Sequence, residues 1–265
     1  MLDLNEWPAG DRSRITGVFT DIDDTLTTEG AITADALEAL SALREAGLHV
    51  IPITGRPVGW SEPFASQWPV DAIVAENGAV ALVKAGEAGP RKFYQQEETV
   101  RSANFARMQQ VARRVVSEVP GAVLSRDSGG RETDIAIDHS EYVHLPPACV
   151  AQVVRLMQQE GMNATVSSIH INGWFGDHNK LAGARWIVRE LFGRELDAEI
   201  DRWVYVGDST NDELMFQHFP HSVGVANIRR FEAELSHPPK YITPGERGAG
   251  FAQLAEAILS ARSSR

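Results

Sequence analysis

The sequence has 265 residues, 43% of them hydrophobic and 23% charged, a composition that excludes a disordered or collagen-like chain. Its 36 acidic residues against 25 Lys and Arg give a formal net charge of −11, and no basic run offsets it, so nucleic acid is not an expected partner. A single cysteine, Cys149, excludes an intrachain disulfide and a cysteine-built metal centre and fits a cytoplasmic setting. The first 14 residues carry no apolar segment of signal-peptide type. No stretch approaches the roughly 18 apolar residues of a membrane helix, so no membrane contact is expected.

The elements follow in chain order. Residues 15–22 read as a buried strand that ends in acids. A helix is predicted from Thr33 to Gly47, its C-cap candidate, then a strand over 48–54, a helix over 58–67 and a third strand over 71–75. This alternation predicts an α/β fold with a doubly wound, Rossmann-like parallel sheet. Asn77-Gly78 is a turn signal, and 84–90 reads as a hairpin loop or domain boundary. The pattern then changes to a helix over 97–118, strands around a Gly129-Gly130 turn, a helix from Pro146 or Pro147, and strands over 163–173. Alternation resumes with a helix from 179 to about 192 and a strand over 202–207. Short units follow: a strand at 221–226, a helix at 228–235, a strand at 240–243 and a last helix over 250–261, with a frayed tail at 260–265. The expected organisation is a core of residues 1–84 and 178–265 interrupted by an α+β domain at 85–177.

Two acidic segments stand directly after strands: Asp21-Ile22-Asp23-Asp24-Thr25-Leu26 and Gly207-Asp208-Ser209-Thr210-Asn211-Asp212. In open parallel sheets, ligands bind outside the carboxyl ends of strands. Carboxylates gathered there repel, each pair at ~4 Å by about 4 kcal/mol at an effective dielectric of 20, and a divalent cation relieves this. All-oxygen ligation suits Mg²⁺. The alternative for either segment alone is helix N-capping.

These residues resemble the haloacid dehalogenase (HAD) superfamily of phosphohydrolases. DIDDTL is similar to its DxDx[TV] first motif, Ile53-Thr54-Gly55-Arg56 to its second, Lys180 in DHNKLAGA to its third and GDSTND to its fourth, in the family's order. The resemblance implies that Asp21 is a nucleophile forming an aspartyl-phosphate and that Asp23 is the general acid/base. It further implies Mg²⁺ on Asp21, Asp208 and the backbone carbonyl of Asp23, with Asn211 and Asp212 in support. Thr54, Gly55 and Lys180 would bind the phosphoryl group; Arg56 is either a phosphate or substrate contact or a surface charge. Asp24 and Leu181 stand where many members have Gly, which leaves Asp24 without a role and the helix start at Lys180 open.

The insertion resembles the α/β cap of subfamily IIB. That group holds Cof-type, sucrose-phosphate, mannosyl-3-phosphoglycerate and trehalose-6-phosphate phosphatases, and phosphomannomutase. Glu76-Asn77-Gly78-Ala79 is similar to a stretch found there before the cap, and reads equally as a plain turn. Arg131, Glu132, His170 and Asn172 are candidate substrate contacts or the solvated face of a sheet. Trp60, Trp68, Trp174, Trp186 and Trp203 are expected in the core or a domain interface, and His139, His144 and His178 as surface or satisfied polar residues. The implied activity is hydrolysis of a small phosphorylated metabolite, foremost a sugar phosphate. The alternatives are a phosphomannomutase-like mutase and a non-catalytic small-molecule-binding protein of the same fold.

Overall fold

In the computed structural model, which describes residues 1–86 and 89–263, the chain begins with β1 (Leu2–Asp3), α1 (Ala9–Arg12) and β2 (Gly17–Thr20). A short hairpin, β3 (Thr27–Thr28) and β4 (Ala31–Ile32), leads to α2 (Ala34–Glu45), β5 (His49–Pro52), α3 (Val58–Gln67) and β6 (Ala72–Ala75). Next come β7 (Val80–Lys84), β8 (Pro90–Tyr94), α4 (Glu98–Glu118), β9 (Val123–Leu124), β10 (Ile135–Asp138), α5 (Pro147–Gln159), β11 (Asn163–Val166) and β12 (His170–Trp174). The chain closes with α6 (Lys180–Phe192), β13 (Trp203–Gly207), α7 (Glu213–His218), β14 (His221–Gly224), β15 (Tyr241–Ile242) and α8 (Arg247–Ser263).

Six strands form a parallel sheet in the order β1-β15-β14-β13-β2-β5. Alternation along β13 shows why its sequence is apolar throughout. Val204 and Val206 pack into one cluster with Leu40 of α2 and Phe251 of α8. Trp203 and Tyr205 pack into another with Ile187 of α6 and Phe216 of α7. Helices therefore cover both faces, as a doubly wound parallel sheet requires. The strand ends that carry Asp21 and Asp208 lie side by side, because β2 and β13 are direct neighbours.

Strand β6 departs from the expected purely parallel role. Along one edge it continues the parallel sheet through the Ile53–Val74 bridge, with Thr54 N–H donating to Val74 O at 2.9 Å. Along its other edge it pairs antiparallel with β7, and β7 pairs with β8. The 84/85 division falls inside this hairpin: Phe93 and Tyr94 of β8 pack against the core clusters. Of the expected loop at 84–90, residues 87–88 lie outside the described residues. The helix expected at 228–235 is a 3-10 segment, Ala226–Phe231, pinned where the Asn227 amide donates to Asp24 O at 3.0 Å. Helix α8 continues through Ser263, into the tail expected to fray, and residues 264–265 lie outside the described residues.

The second layer is an antiparallel sheet, β11-β12-β10-β9, with α4 and α5. Met108, Val115, Val153 and Met157 of the helices meet Ile137 and Ile171 of the sheet. Strand alternation turns Asp138, His170 and Asn172 to the opposite face, which explains their polarity.

Asn77-Gly78 is more than a hairpin turn. Asn77 and Gly78 both have positive φ, 55° and 108°. A Cβ on Gly78 would lie 2.3 Å from Asn179 O, and one on Gly183 would lie 2.7 Å from Gly78 Cα. The turn thus packs backbone to backbone on the first turn of α6. Alanine is favoured over glycine in a helix interior by about 1 kcal/mol. Here overpacking, about 1–3 kcal/mol or more, outweighs that gain. Gly183→Ala is expected to lower the midpoint of thermal unfolding; a rise would show that the contact is not tight.

Candidate active site

Asp21 is the first residue beyond β2, held there by its N–H donating to Val206 O at 2.9 Å. The chain then turns back on itself. Thr27 donates its hydroxyl to Ile22 O at 3.2 Å and accepts from Asp24 N–H at 3.2 Å. The turn passes through Asp24, whose φ of 54° is left-handed. Its carboxylate pairs with Arg247 at 3.1 Å, so this third acid is tied to α8.

Lys180 begins α6, after Asn179 caps the helix by accepting from Ala182 N–H at 2.8 Å. This settles the helix start with Leu181 in place. The Lys180 ammonium lies 3.1 Å from Asp21 Oδ1 and 2.6 Å from Asp212 Oδ1. The Tyr205 hydroxyl also donates to Asp212 Oδ1, while Asp212 Oδ2 accepts from the N–H groups of Asp208 and Ser209 at 3.0 and 3.2 Å. Asp208 accepts from the Asn227 amide at 3.1 Å and the Thr25 hydroxyl at 3.5 Å. Asn211, half-buried, accepts from the Ser209 hydroxyl at 2.7 Å.

One oxygen from each of Asp21, Asp208 and Asp212 lies within 4.8 Å of the others, and all three residues are buried. Burial pushes the Asp21 carboxyl up to about 7, against the pull of Lys180 and with the push of Asp212 and Asp23. Asp208 is raised well above its ordinary value, first by burial, then by Asp212 and Asp21. Burial works against the charge of Lys180, but Asp21 and Asp212 more than reverse it. Oxygen donors with surplus negative charge fit a divalent cation. Asp212 is the most fully engaged, by Lys180, Tyr205 and two backbone N–H groups; Asp208 takes one amide at 3.1 Å and one hydroxyl at 3.5 Å, and Asp21 faces Lys180 at 3.1 Å.

Thr54 and Gly55 leave β5 beside this cluster. The fully buried Thr54 hydroxyl accepts from Arg56 N–H at 3.0 Å, leaving its own proton to donate. Gly55 leaves little room for a side chain: a Cβ would sit 3.2 Å from Asn172 Oδ1. Arg56 is not a surface charge but buried. Its Nε donates to both Asp23 oxygens at 2.9 and 3.0 Å, and it reaches Asp127 at 3.2 Å and Glu141 at 2.8 Å in the second layer. Its charge is secured by Asp23 and Glu141 against the cost of burial.

Three of the four candidate residues of the second layer reach this region. Arg131 donates to Gly55 O at 3.0 Å and Asp134 at 2.8 Å. Asn172 donates to Asp134 at 3.0 Å and Gly55 O at 3.3 Å. His170 pairs with Glu141 at 2.9 Å. Glu132 does not reach it: its carboxylate accepts from Lys92 and Tyr94 of β8 at 2.9 and 2.7 Å.

Asn227, Asp127 and Glu141 belong to none of the sequence motifs, whereas Glu76 opens the Glu76-Asn77-Gly78-Ala79 stretch. Asn227 stands just beyond β14, so extending the strand-end rule to that strand finds it. Asp127 and Glu141 lie in loops with no motif. Glu76 is fully buried and accepts from the N–H groups of Val58 and Glu132, each at 3.0 Å, and from both the N–H and hydroxyl of Thr133. It joins the start of α3 to the second layer. Burial raises its pKa against these bonds.

A family model described as haloacid dehalogenase-like hydrolase matches residues 18–144. No curated protein matches the sequence. Among solved structures, the chain is similar to a HAD/COF-like hydrolase from Plasmodium vivax, with TM-score 0.69 and 17% identity over 96% of this chain and 99% of that one. It is also similar to the sucrose-phosphatase from Synechocystis sp. PCC6803, solved with sucrose and phosphate (TM-score 0.64, 13% identity, 91% and 97% covered). A HAD subclass IIB sugar phosphatase, BT4131, gives TM-score 0.62 and 16% identity over 94% and 98%. At these identities the likeness is one of fold.

Glu76→Gln replaces an acceptor of several donors with a group that carries donors itself. It is expected to cost about 2–4 kcal/mol of stability, read as a lower urea midpoint. An unchanged midpoint would mean that Glu76 does not hold the layers together.

Proposed function

We propose that the chain is a haloacid dehalogenase-like hydrolase, a Mg²⁺-dependent phosphatase that hydrolyses a small phosphorylated metabolite, foremost a sugar phosphate, through an aspartyl-phosphate. The observation that carries the reading is the buried Asp21 carboxylate at the end of β2, facing Lys180 and within reach of Asp208. A carboxylate approaching an anionic phosphate needs such charge compensation.

In this reading an Asp21 oxygen forms a bond to phosphorus as the bond to the leaving oxygen breaks. Asp23 gives that oxygen a proton, then takes one from the water that attacks phosphorus and frees Asp21. Arg56, bonded to both Asp23 oxygens, holds that carboxylate in place. The Thr54 hydroxyl, the Gly55 N–H and the Lys180 ammonium take the phosphoryl oxygens. Mg²⁺, held by Asp21, Asp208 and the Asp23 backbone carbonyl with Asp212 and Asn211 in support, supplies charge neutralisation and Lewis acidity when bound.

We assign residues 1–94 and 178–263 to the catalytic core and 95–177 to a cap. Arg131, His170 and Asn172 are assigned to the closed joint between them. Sugar phosphatases among the structural neighbours support the substrate class. The charge of −11 argues against polyanionic partners. Among the described residues, no helix is long and apolar enough to cross a membrane. A cytoplasmic setting accords with the single cysteine.

The test is phosphate release from a panel of sugar phosphates with and without Mg²⁺. Asp21→Asn is expected to lower turnover at least about 10³-fold with the fold retained, and Asp23→Asn by about 10²–10⁴-fold. Release that survives in Asp21→Asn, or none from any substrate, overturns the reading. Mg²⁺ affinity should also depend on pH. With Asp21 pushed up to about 7, protons compete below that value and are absent above it. Titration calorimetry is expected to show Mg²⁺ binding about tenfold weaker at pH ~6 than at pH ~8; equal affinities would remove Asp21 from the metal site.

A further inference from the structure

Each nitrogen of the buried Arg56 guanidinium meets a carboxylate. Nε donates to both oxygens of Asp23, Nη1 reaches Asp127 Oδ2 at 3.2 Å, and Nη2 reaches Glu141 Oε1 at 2.8 Å. The Trp60 ring lies beside the group, its centroid 5.0 Å from Cζ. A guanidinium is a rigid plane, so fixing two of its corners fixes the third. The second layer holds two corners, and the third carries Asp23.

Glu141 is fixed in its turn. Asp138, at the end of β10 and 1% exposed, accepts from the N–H groups of Glu141 and Tyr142 at 3.0 and 3.1 Å, which folds the chain back after the strand. The other Glu141 oxygen meets His170 Nε2 at 2.9 Å, and His170 stands opposite Asp138 in the β10–β12 pair. Sheet register thus places Glu141, Glu141 places Arg56, and Arg56 places Asp23. Asp127 is shared more widely, since it also accepts from the Ser125 hydroxyl at 2.6 Å and from Arg131 at 3.1 Å. Asp23, Arg56 and Glu141 line one cavity of about 340 Å³ between the β3–β4 turn and the second layer.

We propose that Glu141 is a positioning residue for the Asp23 acid: through Arg56 it sets where that carboxyl stands when the leaving oxygen takes its proton. The inference rests on the phosphatase reading. In that step Asp21 bonds to phosphorus, the bond to the leaving oxygen breaks with its electron pair on that oxygen, and the Asp23 proton moves there. A sugar alkoxide needs the proton, whereas 4-nitrophenolate is a stabilised anion and leaves without it. A misplaced acid therefore harms sugar phosphates selectively, while a general loosening of the fold harms both substrates.

The test compares kcat/KM, which covers the steps through transfer to Asp21, for 4-nitrophenyl phosphate and for the sugar phosphate turned over fastest in the panel. Glu141→Gln keeps the shape and removes the charge. It is expected to lower the sugar-phosphate value about tenfold to hundredfold and the aryl value about threefold or less. In an Asp23→Asn background the same substitution is expected to lower the sugar-phosphate value less than about twofold, because its route through Asp23 is already gone. Circular dichroism checks that each variant folds. Asp127→Asn, which frees another corner of Arg56, is expected to show the same substrate bias and decides the matter if Glu141→Gln does not fold. No loss, equal losses on both substrates, or a loss that persists in the Asp23→Asn background, as direct contact of Glu141 with substrate would give, overturns the proposal. These outcomes leave the phosphatase reading standing so long as Asp21→Asn abolishes release from both substrates; a wild-type protein that releases phosphate from neither overturns the reading and the proposal together.

Discussion

Asp21, Asp208 and Asp212, all buried, bring carboxylate oxygens within 4.8 Å of one another, and the Lys180 ammonium contacts two of them. At ~4 Å each like-charged pair costs about 4 kcal/mol at an effective dielectric of 20. Much of the surrounding structure answers this repulsion. Helix α6 starts where Lys180 can enter, and the Asn179 cap fixes that start. The glycine contact of residues 78 and 183 brings the turn after β6 onto the same helix end. Tyr205 and two backbone N–H groups take up the remaining valences of Asp212, and the Asn227 amide steadies Asp208.

A second set of buried charges joins the two layers. Arg56 reaches out from the core to Asp127 and Glu141, and Arg131 reaches back to Gly55 O. Glu76 binds Thr133 from below. These contacts are buried or partly buried, and each has a charged group on at least one side. Breaking one partner leaves an uncompensated ion, so the joint favours either full contact or full separation over partial loosening. The Asp23 carboxylate is part of the same network through Arg56, so its position depends on the second layer as well as on the strand end.

Strand-end logic made the central cluster legible. Asp21, Thr54 and Asp208 follow apolar runs, and adjacency of parallel strands brings such ends together. Lys180 was legible through its family pattern, with its helix start settled only by Asn179. The doubly wound sheet followed from alternation, and the polar face of β12 is plain once the register pairs Asp138 with His170. Less was visible where partners are remote in sequence. Glu132 reads like its neighbour Arg131, yet its carboxylate turns to Lys92 and Tyr94 because β8 lies alongside. Asn77-Gly78 reads as a turn whichever surface it packs on. The partners of Arg56 at Asp127 and Glu141 are 71 and 85 residues away, beyond any periodic pattern.

The pairing of β2 with β13, Val18 opposite Val204, carries a consequence for synthesis on the ribosome. The second layer is assembled from a contiguous stretch, 98–174, and all its strands have emerged before β13 exists. β2 and β5 emerge early, but the neighbour that covers the other edge of β2 comes only after the inserted layer has been translated. Until then the nascent chain carries an apolar strand with an unpaired edge, a configuration that invites misassembly. The inserted layer, with its short-range contacts, is placed to fold first and to hold the two halves of the core close for the long-range closure that follows. Asp21 acquires its neighbours Lys180, Asp208 and Asp212 only at that closure, so the charge cluster never burdens the partly made chain.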